Sequence, residues 1–174
     1  ETTRGLSGRG GARLARARNA PGYVERRIDV ASVTDRPARR SADSIASYPL
    51  GEVHREPGRF GRIFRSSAAM VNLLEPEDEP RDPKSLSPHH HDDFEQCSIV
   101  LRGDYVHHLR VPWTPRSDLW REDQHIRATG PSILIIPSRM VHTSQGINSH
   151  RHQLIDVFAP VRADFLAQPG WVLH

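Results

Sequence analysis

Residues 89–96 of this chain read His-His-His-Asp-Asp-Phe-Glu-Gln, and a further histidine, His142, follows Pro137-Ser-Arg-Met-Val. Imidazole nitrogen is a ready ligand for divalent first-row metals, and an oxygen ligand beside it suits Fe, Mn, Ni or Zn. His89 and His91 are two apart, so on a strand they share a face while His90 points away. His142 supplies a third nitrogen from a segment that only folding brings near. Glu95 and Gln96 both offer an oxygen, on opposite faces if they lie on one strand. Three nitrogens and one oxygen leave positions open for water or substrate, the mark of a catalytic rather than a closed structural site. One divalent metal ion is therefore the expected cofactor.

The elements that must position these groups are short strands. Residues 62–74 read as a strand pair or one bent strand, and 75–88, with four prolines among acids, as a loop. Residues 95–101 and 105–111 read as the two arms of a hairpin about Arg102-Gly103-Asp104. Pro112 to Glu122 reads as a long loop carrying Trp113 and Trp120, which could roof a pocket or pack over a barrel end. Strand-like runs follow at 124–128, 132–136, 141–145 and 152–158, and Ala163–Leu166 reads as a short helix. Many short strands with regular turns predict an all-β sandwich or small barrel.

Before that β region the pattern is different. Arg4, Arg9, Arg13, Arg16 and Arg18 lie in the first 20 residues, where the only acid is Glu1. Residues 1–20 are expected to be a disordered Arg/Gly-rich extension, and residues 21–60 an irregular lead-in with short strands. The formal net charge of +3 and pI near 9.6 come from that extension. The rest of the chain is close to neutral, so bulk charge does not make it a nucleic-acid binder. No apolar run approaches the roughly 20 residues that span a bilayer, and the start lacks the apolar stretch of a secretory signal. With a single cysteine, Cys97, an intramolecular disulfide is excluded. A cytoplasmic protein with no membrane or nucleic-acid partner is expected. Cys97 neighbours Gln96 on the opposite face and reads as a buried apolar residue.

Further candidates lie on the run after Gly103. Alternation sends one of His107 and His108 inward. His107 is a candidate general acid or base, the alternative being a hydrogen-bonded interior histidine. Tyr105 shares its face and is the second catalytic candidate. Arg62, Arg65, Arg102, Arg110 and Arg139 lie in or beside strands, where one or two facing inward would clamp a carboxylate. Gln145 and Gln153 could serve substrate hydroxyls.

The two histidine segments together resemble the cupin family. His89-x-His91, with Val100-Leu101-Arg102-Gly103 closing it, is similar to the first cupin motif, and Gly130 to Pro137-Ser-Arg-Met-Val-His142 to the second. The stretch Asp156-Val-Phe-Ala-Pro-Val-Arg-Ala-Asp-Phe165 is similar to the last strand of small single-domain cupins. The resemblance covers about residues 60 to 168. It implies a cupin jelly-roll-like β-barrel over residues 61–170, with His89, His91, Gln96 and His142 as metal ligands. Counting back from Gly103 in the family's register selects Gln96 in place of the usual acid, with Glu95 as the alternative oxygen. Arg139 stands where the family has glycine, and Gly146 where it has asparagine.

A glutamine ligand occurs in cupins resembling the unsaturated-uronate ring-opening enzymes of pectin breakdown and the cupin hydroxynitrile lyases. Lacking a carboxylate, such a site is more positive and suits Lewis-acid work on an anionic or carbonyl substrate. The implied function is a Lewis-acid isomerase, lyase or ring-opening catalyst on a small carboxylate or sugar-derived substrate. A non-haem metal dioxygenase and a non-catalytic small-molecule binding or sensor cupin are the alternatives. A homodimer is an expectation from the family.

Overall fold

The computed structural model describes residues 47–53, 57–59 and 61–173. The expected extension at 1–20, and most of the lead-in expected at 21–60, lie outside the described residues. The fold below belongs to the compact unit spanning Ala38–His174.

Among the described residues nine strands follow in chain order: β1 (Gly61–Arg65), β2 (Met70–Leu74), β3 (Glu95–Arg102), β4 (Asp104–Arg110), β5 (Gln124–Thr129), β6 (Ser132–Ile136), β7 (Val141–Gly146), β8 (Gln153–Ala159) and β9 (Val172–Leu173). They form two sheets, β6-β3-β8-β2-β1-β9 and β5-β4-β7. All pairings are antiparallel except that of β1 with β9. Among the described residues the fold is all-β and jelly-roll-like, with one short helix, α1 (Ala163–Leu166), and a 3-10 turn at Ser117–Leu119. Among the described residues no helix is long and apolar enough to cross a membrane.

Alternation along the strands builds the interior. Gln96, Ser98 and Val100 of β3 and Tyr105, His107 and Leu109 of β4 are buried, while their neighbours are not. The apolar part of this interior is split. Ile63, Met70, Phe94 and Phe158 form one cluster, with Phe165 and Trp171 against it; Val100, Tyr105 and Leu154 form another. Full burial of a side chain such as Phe158 stabilises by about 2–3 kcal/mol. The prolines of residues 75–88 keep that segment out of the sheets, apart from a single bridge between Glu77 and His152.

The expected hairpin of 95–101 with 105–111 does not form. β3 pairs with β6 and β8, while β4 pairs with β5 and β7, so the chain changes sheet at Gly103. One residue separates the two strands, too few to fold a strand back on its neighbour, so it makes a corner. Gly103 has φ 84°, a conformation that side chains disfavour, and a Cβ there would lie 2.8 Å from the His152 ring. The chain crosses back between β5 and β6 at Gly130, whose N–H donates to the Gly103 carbonyl at 2.9 Å. A Cβ on Gly130 would meet the Arg102 nitrogen at 2.8 Å. The two motif glycines thus form one double corner that fixes β3 against β4.

Candidate metal centre

His89 and His91 do not lie on a strand, as the spacing predicted; they precede β3 in irregular backbone. Their placement comes instead from β7. His89 N–H donates to the His142 carbonyl at 3.1 Å and His142 N–H to the His89 carbonyl at 2.8 Å. Arg139 N–H donates to the His91 carbonyl at 2.5 Å. These three backbone bonds staple the first histidine segment to the turn before His142. The result is the convergence expected: ligand atoms of His89, His91 and His142 all lie within 4.8 Å of one another. His90 points away, half-exposed and 3.8 Å from Asp92.

The protonation pattern of this cluster follows from its partners. Nδ1 of His142 lies 2.8 Å from the Met140 carbonyl, and Nδ1 of His89 2.8 Å from the Ser87 carbonyl. A carbonyl only accepts, so each Nδ1 carries a proton, and in the neutral ring the lone pair is on Nε2. Burial lowers the His142 pKa, which keeps the ring neutral. Burial first, then Arg162 and the two other histidines, lowers His91 to about 3. Its Nε2 is buried, with Gln96 near but no well-formed hydrogen bond. The ring itself stacks on Phe94 at 4.1 Å.

Gln96 is 5% exposed and faces this cluster; Glu95 is on the other face of β3. The Gln96 amide nitrogen donates to Ser98 Oγ and Asp156 Oδ1, both at 3.0 Å, which turns its Oε1 toward His142 Nε2 at 3.1 Å. Two lone-pair acceptors therefore face each other at that distance. The contact is repulsive unless a cation lies between them. Ligand bonds of about 2.1 Å at right angles put adjacent donor atoms about 3 Å apart. The donor set fits a divalent metal, with three imidazole nitrogens and one amide oxygen.

Beside this cluster is a cavity of about 540 Å³ walled by both sheets. Five charged groups that spacing did not single out line it: Glu75, Glu77, Arg81, Asp156 and Arg162. Asp156 opens to the cavity but is enclosed by protein, and its Oδ1 accepts from Ser98 Oγ at 2.6 Å as well as from Gln96. Desolvation raises its pKa to about 6 despite these bonds and the nearby Arg162. The Arg162 guanidinium lies 3.4 Å over the Phe165 ring and 4.8 Å from that of Phe158, with a fork to Asp164. Arg81 donates to the Ser144 carbonyl at 3.1 Å and Ser87 Oγ at 2.9 Å. The signal for Asp156 was present: β8 alternates Leu154, Asp156, Phe158 inward, and a carboxylate in an apolar row asks for a reason.

Of the catalytic candidates, Tyr105 lines the cavity, and burial pushes its hydroxyl pKa well up, keeping it protonated. His107 is inward and fully buried but not in the cavity wall; its Nδ1 meets Ser144 Oγ at 2.8 Å, and burial lowers its pKa to about 4. None of Arg62, Arg65, Arg102, Arg110 and Arg139 lines the cavity. Gln145 is held by the Arg81 carbonyl at 3.2 Å. Cys97 is half-buried rather than buried, and desolvation with Asp156 nearby raises its pKa, so it is a thiol and no nucleophile.

No family model matches the chain, and no curated protein matches it. Several solved structures are similar to it. KdgF from Halomonas sp. is 18% identical, with TM-score 0.37, over 55% of this chain and 71% of that one. A Bacillus halodurans protein is 16% identical, with TM-score 0.46, over 71% of this chain and 86% of its own. A cupin-2 domain-containing protein from Shewanella frigidimarina is 17% identical, with TM-score 0.36, over 53% and 70%.

Proposed function

We propose that this chain is a metal-dependent enzyme that isomerises, eliminates from or ring-opens a small carboxylate or sugar-derived substrate. The observation that carries the proposal is the convergence of His89, His91 and His142 on one another, with Gln96 Oε1 at His142 Nε2 and with the Nδ1 protons of His89 and His142 turned to backbone carbonyls. A divalent metal held by His89, His91, Gln96 and His142 would supply Lewis-acid polarisation of a substrate oxygen. The protein's own groups supply the rest. Arg162, kept rigid by aromatic stacking, presents a cation at the cavity wall to which a substrate carboxylate can bind. Asp156, with a pKa near 6, can take a proton from substrate carbon or oxygen and return it. The Tyr105 hydroxyl, protonated in this setting, can donate a hydrogen bond to developing negative charge.

The test is metal analysis of the purified protein beside a His142→Ala variant. Stoichiometric metal in the parent and its loss in the variant is the expected result. Full retention in the variant overturns the ligand set. The homodimer belongs to the same proposal. Ile133 and Ile135, 63% and 57% exposed, lie with Leu101 and Val71 on the outside of the six-stranded sheet and offer a second copy an apolar surface. Sedimentation should give a dimer that Ile135→Arg dissociates; a monomer at all concentrations removes this part.

A further inference from the structure

Outside the cavity, the most exposed large apolar side chain among the described residues is Trp113, at 73%. It is not loose. Its ring stacks on Trp120 at 4.5 Å between centroids and 9° between planes. Trp120 is in turn fixed by an Nε1–H bond to the Thr114 carbonyl at 2.8 Å. The loop between β4 and β5 thus holds a flat indole face open to solvent, which costs hydrophobic free energy with no gain in packing.

The face borders an open groove of about 680 Å³ lined by Arg110, Trp113, Trp120, Arg121, Glu122 and Asp123. It shares no lining residue with the cavity of the metal centre. Arg110 forks to Asp123 at 2.9 and 2.6 Å, and Arg121 is tied to the Asp118 and Trp120 carbonyls at 3.1 and 2.8 Å. The rim therefore has two cations and two carboxylates, balanced in charge, with Arg110, Arg121 and Asp123 held in place. A phosphate or nucleic acid would want cations without the acids, and an apolar helix would want an apolar rim. A sugar ring wants this combination. Its hydroxyls both donate and accept, matching guanidinium and carboxylate together, and its C–H face packs on a flat indole.

We propose that the Trp113–Trp120 stack and its charged rim form a binding platform for a neutral saccharide, separate from the metal centre. The proposal does not depend on the metal-dependent activity.

Calorimetric titration of the full-length protein with cellopentaose, maltopentaose and xylopentaose, and with inorganic phosphate as a charged comparison, tests it. Saturable binding of at least one oligosaccharide is expected, weakened about tenfold or more in Trp113→Ala and retained in His142→Ala. Asp123→Asn, which leaves the indole stack in place, should weaken binding as well. Circular dichroism of each variant separates lost binding from lost folding. No binding by any of the three sugars, binding unchanged in folded Trp113→Ala, or binding of phosphate alone overturns the proposal. So does sugar binding that disappears in His142→Ala, because it would place the ligand in the metal-centre cavity.

Discussion

At the residue scale, the decisive feature is how each donor atom's partner sets its proton. The carbonyls of Ser87 and Met140 hold the Nδ1 protons of His89 and His142, and the Asp156–Ser98 pair holds the Gln96 amide so that its oxygen faces inward. Such outer partners orient ligands and fix tautomers. Gln96→Glu would replace the amide donor with a second carboxyl beside Asp156. The two acids would then share a proton, so metal should be retained while turnover falls. Metal loss from this variant, or unchanged turnover, would contradict the reading of the amide as orienter. Asp156→Asn keeps the hydrogen-bonding shape without the proton. It should lower kcat by about 10²–10⁴ with metal content unchanged; full activity would remove Asp156 from the mechanism.

At the element scale, the corners matter more than the strands. Gly103 and Gly130 lie against each other and set β3, which carries Gln96, across from β4. Gly130→Ala places a methyl against the backbone of Leu101 and Arg102, and should destabilise by roughly 2 kcal/mol or more. Arg139 is the opposite case. It has φ 69° in the turn before His142, the conformation glycine adopts without strain, and its side chain is three-quarters exposed. Arg139→Gly should therefore stabilise by about 0.5–1 kcal/mol, the left-handed penalty less the entropy of glycine. A thermal melt checks this, and a lower midpoint would show that the guanidinium contributes something geometry does not reveal. The departure from the cupin-like motif at this residue thus changes the side chain and not the backbone shape.

At the scale of the whole molecule, the buried titratable groups pull stability in two directions as pH changes. His107 has its pKa lowered from 6.5 to about 4, so the unfolded chain binds the proton more readily. Its contribution is complete above pH 6.5 and is lost as pH falls toward 4, by up to about 3 kcal/mol. Asp156, raised to about 6, acts with the opposite sign: the folded state binds its proton more readily, which favours folding as pH falls through 6. Urea unfolding of parent and His107→Phe between pH 7.5 and 4.5 separates the two, because only the parent should show the His107 loss. Parallel pH profiles would mean that His107 keeps no depressed pKa.

Much of this protein was legible before folding. Residue type and spacing alone brought forward His89, His91 and His142, because imidazoles are scarce enough that their pattern is informative. Alternation required one of His107 and His108 to face inward, since side-chain direction along a strand is a local property, and in the fold it is His107. Local chemistry could not say which strands pair. The β3–β4 link reads as a hairpin in one dimension and is a corner in three, because pairing is decided by which neighbours complete the backbone hydrogen bonds. Spacing did not select Asp156, Arg162 or Arg81 either, as each draws its chemical character from groups distant in sequence. Asp156 takes its raised pKa from enclosure, and Arg162 its rigidity from three phenylalanine rings. The sequence by itself determined which atoms could bind a metal. Only the tertiary structure decided which way their lone pairs point and which acid and cation stand beside them, because burial and partner geometry exist only once distant strands have met.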